Sequence, residues 1–167
     1  MRVVVGLGGN LGAPRDAFEQ ALQGLAAVGR VQARSGLYRS RAVGPPQPDY
    51  LNAAALLDTS CDLRSLLALC HELEAAAGRD RKREPRWGPR PLDLDLLIAD
   101  GVVCRGPRLT LPHPRLLERA FALVPAAEVA GAWVHPALGQ PLVGLAARCP
   151  GRADLQRLDA SSPPATV

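Results

Sequence analysis

The sequence predicts a single α+β domain, and two features of the 167-residue chain point to that class. The first is that short apolar strand patterns alternate with helical apolar stripes along the chain. The second is the length, because 167 residues with 47% hydrophobic side chains can bury a sizeable core but are too few for a second full domain. We therefore expect one domain over residues 1–149 and a frayed polar tail over residues 150–167.

The first half of the chain predicts one strand, one helix and two more strands. Residues 3–7 form an apolar run that ends in a glycine-rich segment, and Pro14 then stands where the first turn of a helix tolerates proline. Alternation of apolar and polar residues over 31–37 is typical of a half-buried strand, and the run 50–57 follows a proline-rich loop as a further strand. The helix is indicated by apolar residues at helical spacing: Phe18, Ala21, Leu22 and Leu25.

The second half predicts a helix, a hairpin and two shorter helices. An apolar stripe predicts a helix over 63–77, and Gly78 follows it as a C-terminal cap. Leucines alternate with aspartates in a strand over 92–98, and Asp100-Gly101 predicts a hairpin turn into a strand at 102–104. Helical stretches are expected at 116–124 and 141–148. This order fits a ferredoxin-like split βαβ sandwich, with a mainly antiparallel sheet and helices packed on its faces.

Positive charge is concentrated in one segment of the chain. The net charge is +4, and residues 79–90 hold six basic side chains against two acidic ones, so this window alone accounts for the excess. A protein that coats nucleic acid carries its basic residues over a wide surface. The charge pattern therefore indicates a local feature, the segment 79–91, which we call the basic loop.

The cysteines and the N-terminus indicate the compartment. Cys61, Cys70, Cys104 and Cys149 have no C-x-x-C spacing and no histidine at metal-ligand spacing, so reduced thiols are expected. The chain enters a strand at once, without the length or cleavage site of a signal peptide, and no apolar run approaches the ~18 residues that span a membrane. We expect a cytoplasmic protein, a monomer, that does not contact a membrane.

Two aspartates on a predicted strand form the first candidate site. Asp93 and Asp95 are two residues apart, so both carboxylates leave the same face, roughly 7 Å apart, while the leucines enter the core. Two like charges side by side favour a divalent cation, and Mg²⁺ is usually held by one or two carboxylates together with substrate phosphates. The same spacing also fits a solvated strand face with Arg90 as a counter-charge.

The basic loop favours the metal interpretation. Arginine and lysine beside a metal-carboxylate pair are what phosphoryl transfer needs, because the charge spread over phosphate oxygens has to be neutralised. Trp87, inside the loop, fits either a hydrophobic anchor or a stacking partner for a heterocycle. His113, between two prolines, fits either a structural histidine or a phosphate contact. The glycine-rich segment 8–12 matches neither phosphate-loop pattern, so a tight strand-to-helix connection is expected there.

Two other function classes are compatible with these residues. A nucleic-acid-binding module on a ferredoxin-like sheet would grip phosphates with the basic loop. It also predicts exposed aromatic residues on the sheet, and aromatic residues make up only 4% of the chain, so we expect no nucleic-acid partner. The other alternative is a non-catalytic interaction domain, although both aspartates are present.

Five segments of the chain carry a family resemblance. The most specific is Arg86-Trp87-Gly88-Pro89-Arg90-Pro91-Leu92-Asp93-Leu94-Asp95. The others are residues 6–12 (GLGGNLG), 38–40 (YRS), 48–53 (PDYLNA) and 111–114 (LPHP). Together they resemble 6-hydroxymethyl-7,8-dihydropterin pyrophosphokinases over residues 3 to about 130. That family transfers pyrophosphate from ATP to the hydroxymethyl group of a reduced pterin and releases AMP, in folate biosynthesis.

The resemblance implies a role for each matching residue. It implies ATP and 6-hydroxymethyl-7,8-dihydropterin as small-molecule substrates, and two Mg²⁺ ions held by Asp93 and Asp95. The catalytic positions it implies are Arg81, Lys82, Arg90 and Asp95. The implied nucleotide-binding positions are His71, Glu74, Arg79, Trp87, Ile98, Arg108, Thr110, His113 and Arg119. The implied pterin-binding positions are Ser40, Val43, Tyr50, Asn52 and Phe121, with Trp87 closing over the pterin.

The chain departs from the family pattern in several places. Gly9 stands for the usual serine, Ser40 for a threonine and Pro114 for a frequent tyrosine. The basic loop is one residue longer than usual before Trp87, which affects the register of the residues that precede it. None of these departures removes a metal ligand.

Overall fold

The computed structural model describes residues 1–85 and 87–158, and in that part of the chain ten strands and four helices follow one another. Arg86 of the basic loop and residues 159–167 of the expected tail lie outside it. The strands are β1 (Arg2–Gly9), β2 (Gly29–Arg34), β3 (Leu37–Ser40), β4 (Tyr50–Thr59), β5 (Asp93–Ala99), β6 (Cys104–Arg105), β7 (Thr110–Leu111), β8 (Val134–His135), β9 (Gln140–Pro141) and β10 (Gln156–Leu158). The helices are α1 (Pro14–Ala26), α2 (Leu63–Ala76), α3 (Ala120–Ala130) and α4 (Leu142–Ala147), with 3-10 turns at Leu116–Glu118 and Arg152–Asp154.

One antiparallel sheet forms the centre of the molecule. Its strand order is β10-β3-β4-β1-β5, and β2 also pairs with β4. β1 lies between β4 and β5 and runs antiparallel to both. With β2 and β3 taken as one interrupted strand, the order of the first five strands is that of a split βαβ fold. The ferredoxin-like α+β prediction is therefore confirmed.

The strand expected over 31–37 is divided into two. β2 ends at Arg34, and the hydroxyl of Ser35 then accepts a hydrogen bond from the Ala54 N–H at 2.9 Å. The N–H of Ser35 still donates to the carbonyl of Ala54 at 2.9 Å. A side-chain oxygen thus replaces one backbone acceptor of the ladder, and pairing with β4 resumes only after Gly36.

Helices cover both faces of the sheet, so the molecule has two cores. α1 and α2 pack on one face over Val3, Val5 and Leu7, because alternate β1 side chains point there. α3 and α4 pack on the other face, where Leu123 and Leu142 are buried. Each such leucine contributes roughly 1.5–3 kcal/mol when it leaves water. Among the described residues no helix combines the length and apolarity needed to cross a bilayer, and the longest, α2, has 14 residues.

The helix predicted over 63–77 is confirmed together with its ends. The Asp62 carboxylate accepts hydrogen bonds from the N–H groups of Arg64 and Ser65 at 2.9 and 3.1 Å, which satisfies two donors of the first turn. At the other end Gly78 has a φ of +91°, a left-handed conformation that favours glycine and ends the helix. The basic loop therefore starts directly after α2.

Two predictions about the second half of the chain are corrected. The turn at Gly101 forms, but only Val102 returns to bridge Ala99, and β6 pairs with β7 instead of β5. The frayed tail expected from residue 150 is wrong for residues 150–158. β10 adds to the edge of β3 and buries Leu158, so this segment belongs to the sheet.

Candidate active site

A cavity of about 240 Å³ opens between the sheet and α3, at one end of β1, β4 and β5. The floor of the cavity crosses these three strands at Gly8 of β1, which pairs with Asn52 of β4 and with Asp93 of β5. A Cβ on Gly8 would lie 3.8 Å from both Asn52 and Asp93, and one on Gly6 would lie 3.0 Å from Leu97. Because β1 carries glycine at both positions, no side chain fills the space above the floor.

The two aspartates predicted from the sequence line this cavity. Asp93 and Asp95 leave the same face of β5, and their side chains are 26% and 39% exposed. Leu94 and Leu96 point to the other face and are buried under α1 and α2. The alternation predicted for this part of the strand is therefore confirmed.

The two carboxylates have unequal surroundings. Asp93 accepts hydrogen bonds from Arg79 and, at 3.3 Å, from Arg90, whereas Oδ2 of Asp95 lies 3.9 Å from Nη1 of Arg119. Burial acts to raise the pKa of Asp93, but the charges of the two arginines hold it below its usual value. Burial and the charge of Asp93 raise the pKa of Asp95. Asp95 is therefore the carboxylate that gains most from an additional cation.

A buried glutamate lies behind this pair. Glu74, on α2, is fully buried, and its Oε1 accepts hydrogen bonds from the Leu94 N–H at 2.8 Å and from Arg79 at 2.7 Å. Its Oε2 accepts from Arg81 at 2.6 Å. Arg79 is only 5% exposed and also bonds to Glu84 at 3.1 Å. These contacts join α2, the basic loop and β5, so in this structure Glu74 and Arg79 hold the site together and are not presented to a ligand.

Aromatic and amide side chains form the other end of the cavity. Asn52 is 4% exposed, and its Nδ2 donates to Ser40 Oγ at 2.9 Å. The hydroxyl of Tyr50 donates to the carbonyl of Gly88 at 3.0 Å, and burial raises the pKa of Tyr50. Of the residues predicted for the pterin, all line the cavity: Ser40, Val43, Tyr50, Asn52 and Phe121, together with Trp87.

Nine of the predicted residues do not line the cavity: His71, Glu74, Arg79, Arg81, Lys82, Ile98, Arg108, Thr110 and His113. His71, Lys82 and Arg108 are exposed on the surface. His113 donates its N–H to the carbonyl of Leu97 at 2.7 Å, which sets it beside β5. Burial lowers the pKa of His113, although the nearby charge of Asp95 opposes that shift.

Ile98, expected at the nucleotide, lies in the core of the protein. Its side chain is 2% exposed and packs in the core under α3. The pairing of β5 with β1 shifts register here, because Val5 pairs with Leu96 and Val4 with Ile98. The side chain of Ile98 is therefore part of the core.

Four polar or charged residues in or beside the cavity were not predicted as site residues from the sequence. Arg41, Arg115 and Glu118 line the cavity. Asn10 is buried, its Oδ1 accepts from the Arg90 N–H at 2.9 Å, and its Nδ2 donates to the carbonyl of Pro48 at 2.9 Å. The sequence signal for Asn10 was its place in the glycine-rich segment 8–12. An amide that is buried in a turn needs several hydrogen-bond partners, and it can therefore fix the loops around it. No signal in the sequence separates Arg115 from the other arginines.

The donor set fits a cation that shares its coordination with a ligand. Two carboxylates on one strand face are hard oxygen donors, which Mg²⁺ combines with phosphate oxygens and water. Within residues 1–85 and 87–158, no group of three or more His, Cys, Asp or Glu side chains could hold a metal. A cation bound between Asp93 and Asp95 would thus depend on oxygens from outside the protein.

The fold and the cavity together define a class of protein. A carboxylate pair with arginines around it, on a ferredoxin-like sheet, is typical of an enzyme that acts on a phosphate-bearing substrate. A family model described as 7,8-dihydro-6-hydroxymethylpterin-pyrophosphokinase (HPPK) matches residues 4–131. The chain belongs to this family of pyrophosphokinases.

Curated relatives agree with this assignment. The chain is 44% identical over 144 residues to the 2-amino-4-hydroxy-6-hydroxymethyldihydropteridine pyrophosphokinase of a Synechocystis species, covering 85% of this chain and 73% of that protein. It is 40% identical over 152 residues to the pyrophosphokinase of the same name from Pseudomonas aeruginosa, covering 89% of this chain and 92% of that protein.

Solved structures show the same fold at low sequence identity. A Plasmodium falciparum HPPK-DHPS with pteroate aligns with a TM-score of 0.69 at 12% identity, over 93% of this chain and 46% of that one. An HPPK-DHPS in complex with substrates aligns with a TM-score of 0.66 at 9% identity, over 93% and 46% of the two chains. The chain thus spans just under half the length of these solved proteins.

Proposed function

We propose that this chain transfers pyrophosphate from ATP to the hydroxymethyl group of 6-hydroxymethyl-7,8-dihydropterin, giving AMP and the pterin diphosphate in folate biosynthesis. Membership of the pyrophosphokinase family supports the reaction. The observation that carries the proposal is that Asp93, Asp95, Tyr50 and Asn52 all face one continuous cavity. A phosphate chain at the aspartates and a pterin ring beside the tyrosine would therefore meet in a single site.

The carboxylate end would take the phosphates. Asp93 and Asp95 would hold two Mg²⁺ ions, which when bound neutralise charge on the phosphate oxygens and favour attack at phosphorus. Arg90 and Arg119 each lie beside one aspartate and would contact phosphate oxygens. Arg81 and Lys82, on the exposed side of the basic loop, would add charge when that loop moves inward.

The remaining nucleotide would extend along β5. His113 lies beside β5, through its hydrogen bond to Leu97, and would contact a phosphate. His71 on α2, Arg108 in the turn between β6 and β7, and Thr110 on β7 would contact the rest of the nucleotide, outside the cavity. We propose ATP as the co-substrate because the chain belongs to the pyrophosphokinase family.

The opposite end would take the pterin. The amide of Asn52 is fixed by Ser40 and can pair with the hydrogen-bonding edge of a pterin ring. Tyr50 and Phe121 supply aromatic faces, and Trp87 would cover the ring. We also propose that the enzyme works in the cytoplasm as a monomer.

Product identity tests the proposed reaction. Incubation with ATP, Mg²⁺ and 6-hydroxymethyl-7,8-dihydropterin should yield AMP and the pterin diphosphate in equal amounts. A 6-methyl pterin, which lacks the accepting hydroxyl, should bind without producing AMP. Release of ADP would show that a single phosphate is transferred, and the proposal would then be wrong.

A further inference from the structure

Arg115 lines the cavity but differs from its neighbouring arginines in what it contacts. Arg79, Arg90 and Arg119 each lie beside Asp93 or Asp95. The guanidinium of Arg115 instead lies over the indole of Trp87, 5.0 Å from the ring centroid. Its carboxylate neighbour is Glu118 at 3.6 Å, and both side chains of that pair are about half exposed or more, at 46% and 70%. An exposed ion pair of this kind contributes little to stability. The main contact of the Arg115 side chain is therefore the one with the indole.

The backbone of Arg115 is fixed to the strand that carries the aspartates. His113 donates its N–H to Leu97 on β5 at 2.7 Å, and Arg115 donates its own N–H to Nδ1 of His113 at 3.1 Å. The next residue, Leu116, is fully buried. These hydrogen bonds fix the position of Arg115 relative to β5, at a point two residues beyond Asp95.

Trp87 is held from the opposite side through its main chain. The Nε2 of Gln47 donates to the Trp87 carbonyl at 2.7 Å, and the Tyr50 hydroxyl donates to the next carbonyl. The φ of Trp87 is +65°, a left-handed conformation that a bulky side chain adopts only when its surroundings enforce it. Trp87 is 36% exposed.

We infer that Arg115 is a positioning residue for Trp87: it orients the indole at the mouth of the cavity from the β5 side, and thereby pre-forms one wall of the site before the pterin binds. The inference rests on the proposed function, because the wall matters only if a pterin enters there. Orienting a side chain before binding removes its ordering cost from the binding step. Arg115 should therefore affect pterin affinity and not the transfer step itself.

The spectroscopic test uses the Trp133→Phe variant as its background, so that Trp87 supplies the tryptophan fluorescence. In ligand-free protein, Arg115→Ala should raise quenching of Trp87 fluorescence by acrylamide, because the loss of one exposed cation–π contact shifts the oriented population about two- to fivefold. Arg115→Lys should restore part of the protection. Arg2→Ala is the matched control, since Arg2 stacks on Trp133 at 5.7 Å and not on Trp87.

The kinetic test separates binding from turnover. Arg115→Ala should raise the KM for the pterin about two- to fivefold while kcat changes by less than about twofold. In a Trp87→Ala background the same substitution should have no further effect on KM, because the residue through which it acts is gone.

Three results would overturn the inference. One is unchanged quenching in Arg115→Ala protein that circular dichroism shows to be folded. Another is a large loss of kcat at constant KM, which would place Arg115 on the reacting phosphates. The third is an undiminished increase in KM when Arg115→Ala is introduced into the Trp87→Ala protein. Failure of the proposed function would show differently, as absence of AMP in the Trp133→Phe protein itself, and the quenching comparison would still decide the role of Arg115.

Discussion

At the scale of single residues, Asp93 and Asp95 differ in how firmly the protein holds them. Asp93 is bonded to Arg79, which is almost fully buried, while Asp95 is the more exposed carboxylate and lies 3.9 Å from Arg119. The sequence alone treats the two as equivalent, because spacing on a strand says nothing about partners from another element. The structure gives Asp93 a structural contact in addition to its proposed place at the metal.

Substitution of each aspartate by asparagine should separate these two roles. Asp95→Asn should lower turnover by orders of magnitude, because a proposed metal ligand is lost, and change the free energy of unfolding by less than about 1 kcal/mol. Asp93→Asn should lower turnover and also destabilise the protein by about 1–3 kcal/mol, since a buried arginine loses a charged partner. Steady-state kinetics and urea unfolding of both variants measure the difference. Near-normal turnover in either variant, or equal stability losses in both, would contradict the assignment.

The glycine at position 9 is explained by a close approach between its own segment and the segment that precedes β5. A Cβ at this position would lie 2.5 Å from the carbonyl of Pro91, so a side chain cannot be added unless that carbonyl moves. The approach is maintained nearby by the N–H of Asn10, which donates to the Arg90 carbonyl at 2.9 Å. The departure from the serine that the family pattern has here therefore has a steric reason in this chain.

At the scale of elements, Glu74 links three of them. Its two oxygens accept from β5, through the Leu94 N–H, and from Arg79 and Arg81 of the basic loop. Burial raises the pKa of Glu74, and the backbone and arginine contacts oppose that shift. A carboxylate this enclosed stabilises the protein only while its partners stay in place.

Glu74→Gln should show what this junction contributes. The variant leaves the charge of Arg79 partly uncompensated in a buried place, so the free energy of unfolding should fall by about 3–5 kcal/mol. Amide exchange in the basic loop should become faster in the same variant. Glu72→Gln is the matched control, because Glu72 is exposed on the same helix, and its effect should stay within about 0.5 kcal/mol. Equal effects of the two substitutions would show that the junction contributes nothing.

A second junction joins α3 to the edge of the sheet. Glu128, on α3, accepts hydrogen bonds from the Tyr38 hydroxyl at 2.8 Å and from Arg157 of β10 at 2.7 Å. Burial, and then the hydrogen bond to Glu128, raise the pKa of Tyr38 above its usual value. The folded state therefore holds the phenolic proton more tightly than the unfolded chain does.

This shift predicts the direction of an alkaline effect. The stabilisation is fully present below the unfolded tyrosine pKa of about 10 and is lost as the pH rises through the higher folded value. The free energy of unfolding should thus fall above about pH 10, and Tyr38→Phe should make that fall shallower while costing about 1 kcal/mol at neutral pH. Urea unfolding from pH 7 to pH 11 measures both proteins. Parallel pH profiles would contradict the role of Tyr38.

At the scale of the whole molecule, periodicity predicted the elements that bury apolar faces. The positions of β1, α1, α2 and β5 follow from alternating or helical apolar residues. The division between β2 and β3 could not be predicted, because it depends on a hydroxyl of Ser35 that meets a distant strand. β10 was missed for a similar reason, since a short polar segment becomes a strand only when an edge is available.

The site shows the same division between local and tertiary information. Motifs predicted that Asp93, Asp95, Tyr50 and Asn52 belong together, and the structure places all four around one cavity. The burial of Ile98 depends on a register shift against β1, which no local pattern shows. Arg115 enters the site through a contact with Trp87, and that contact exists only once the basic loop lies against the turn after β7.

We propose that the cavity between the sheet and α3 takes the phosphates of a nucleotide through Mg²⁺ bound at Asp93 and Asp95. Calorimetric titration of the wild-type protein with a non-hydrolysable ATP analogue, in Mg²⁺ and in EDTA, tests it most directly. We predict at least about tenfold tighter binding in Mg²⁺, because without the cation the phosphates would face the carboxylates directly, and the arginine beside Asp95 lies 3.9 Å away. The difference should disappear in Asp95→Asn. Equal affinity in Mg²⁺ and in EDTA would contradict the account.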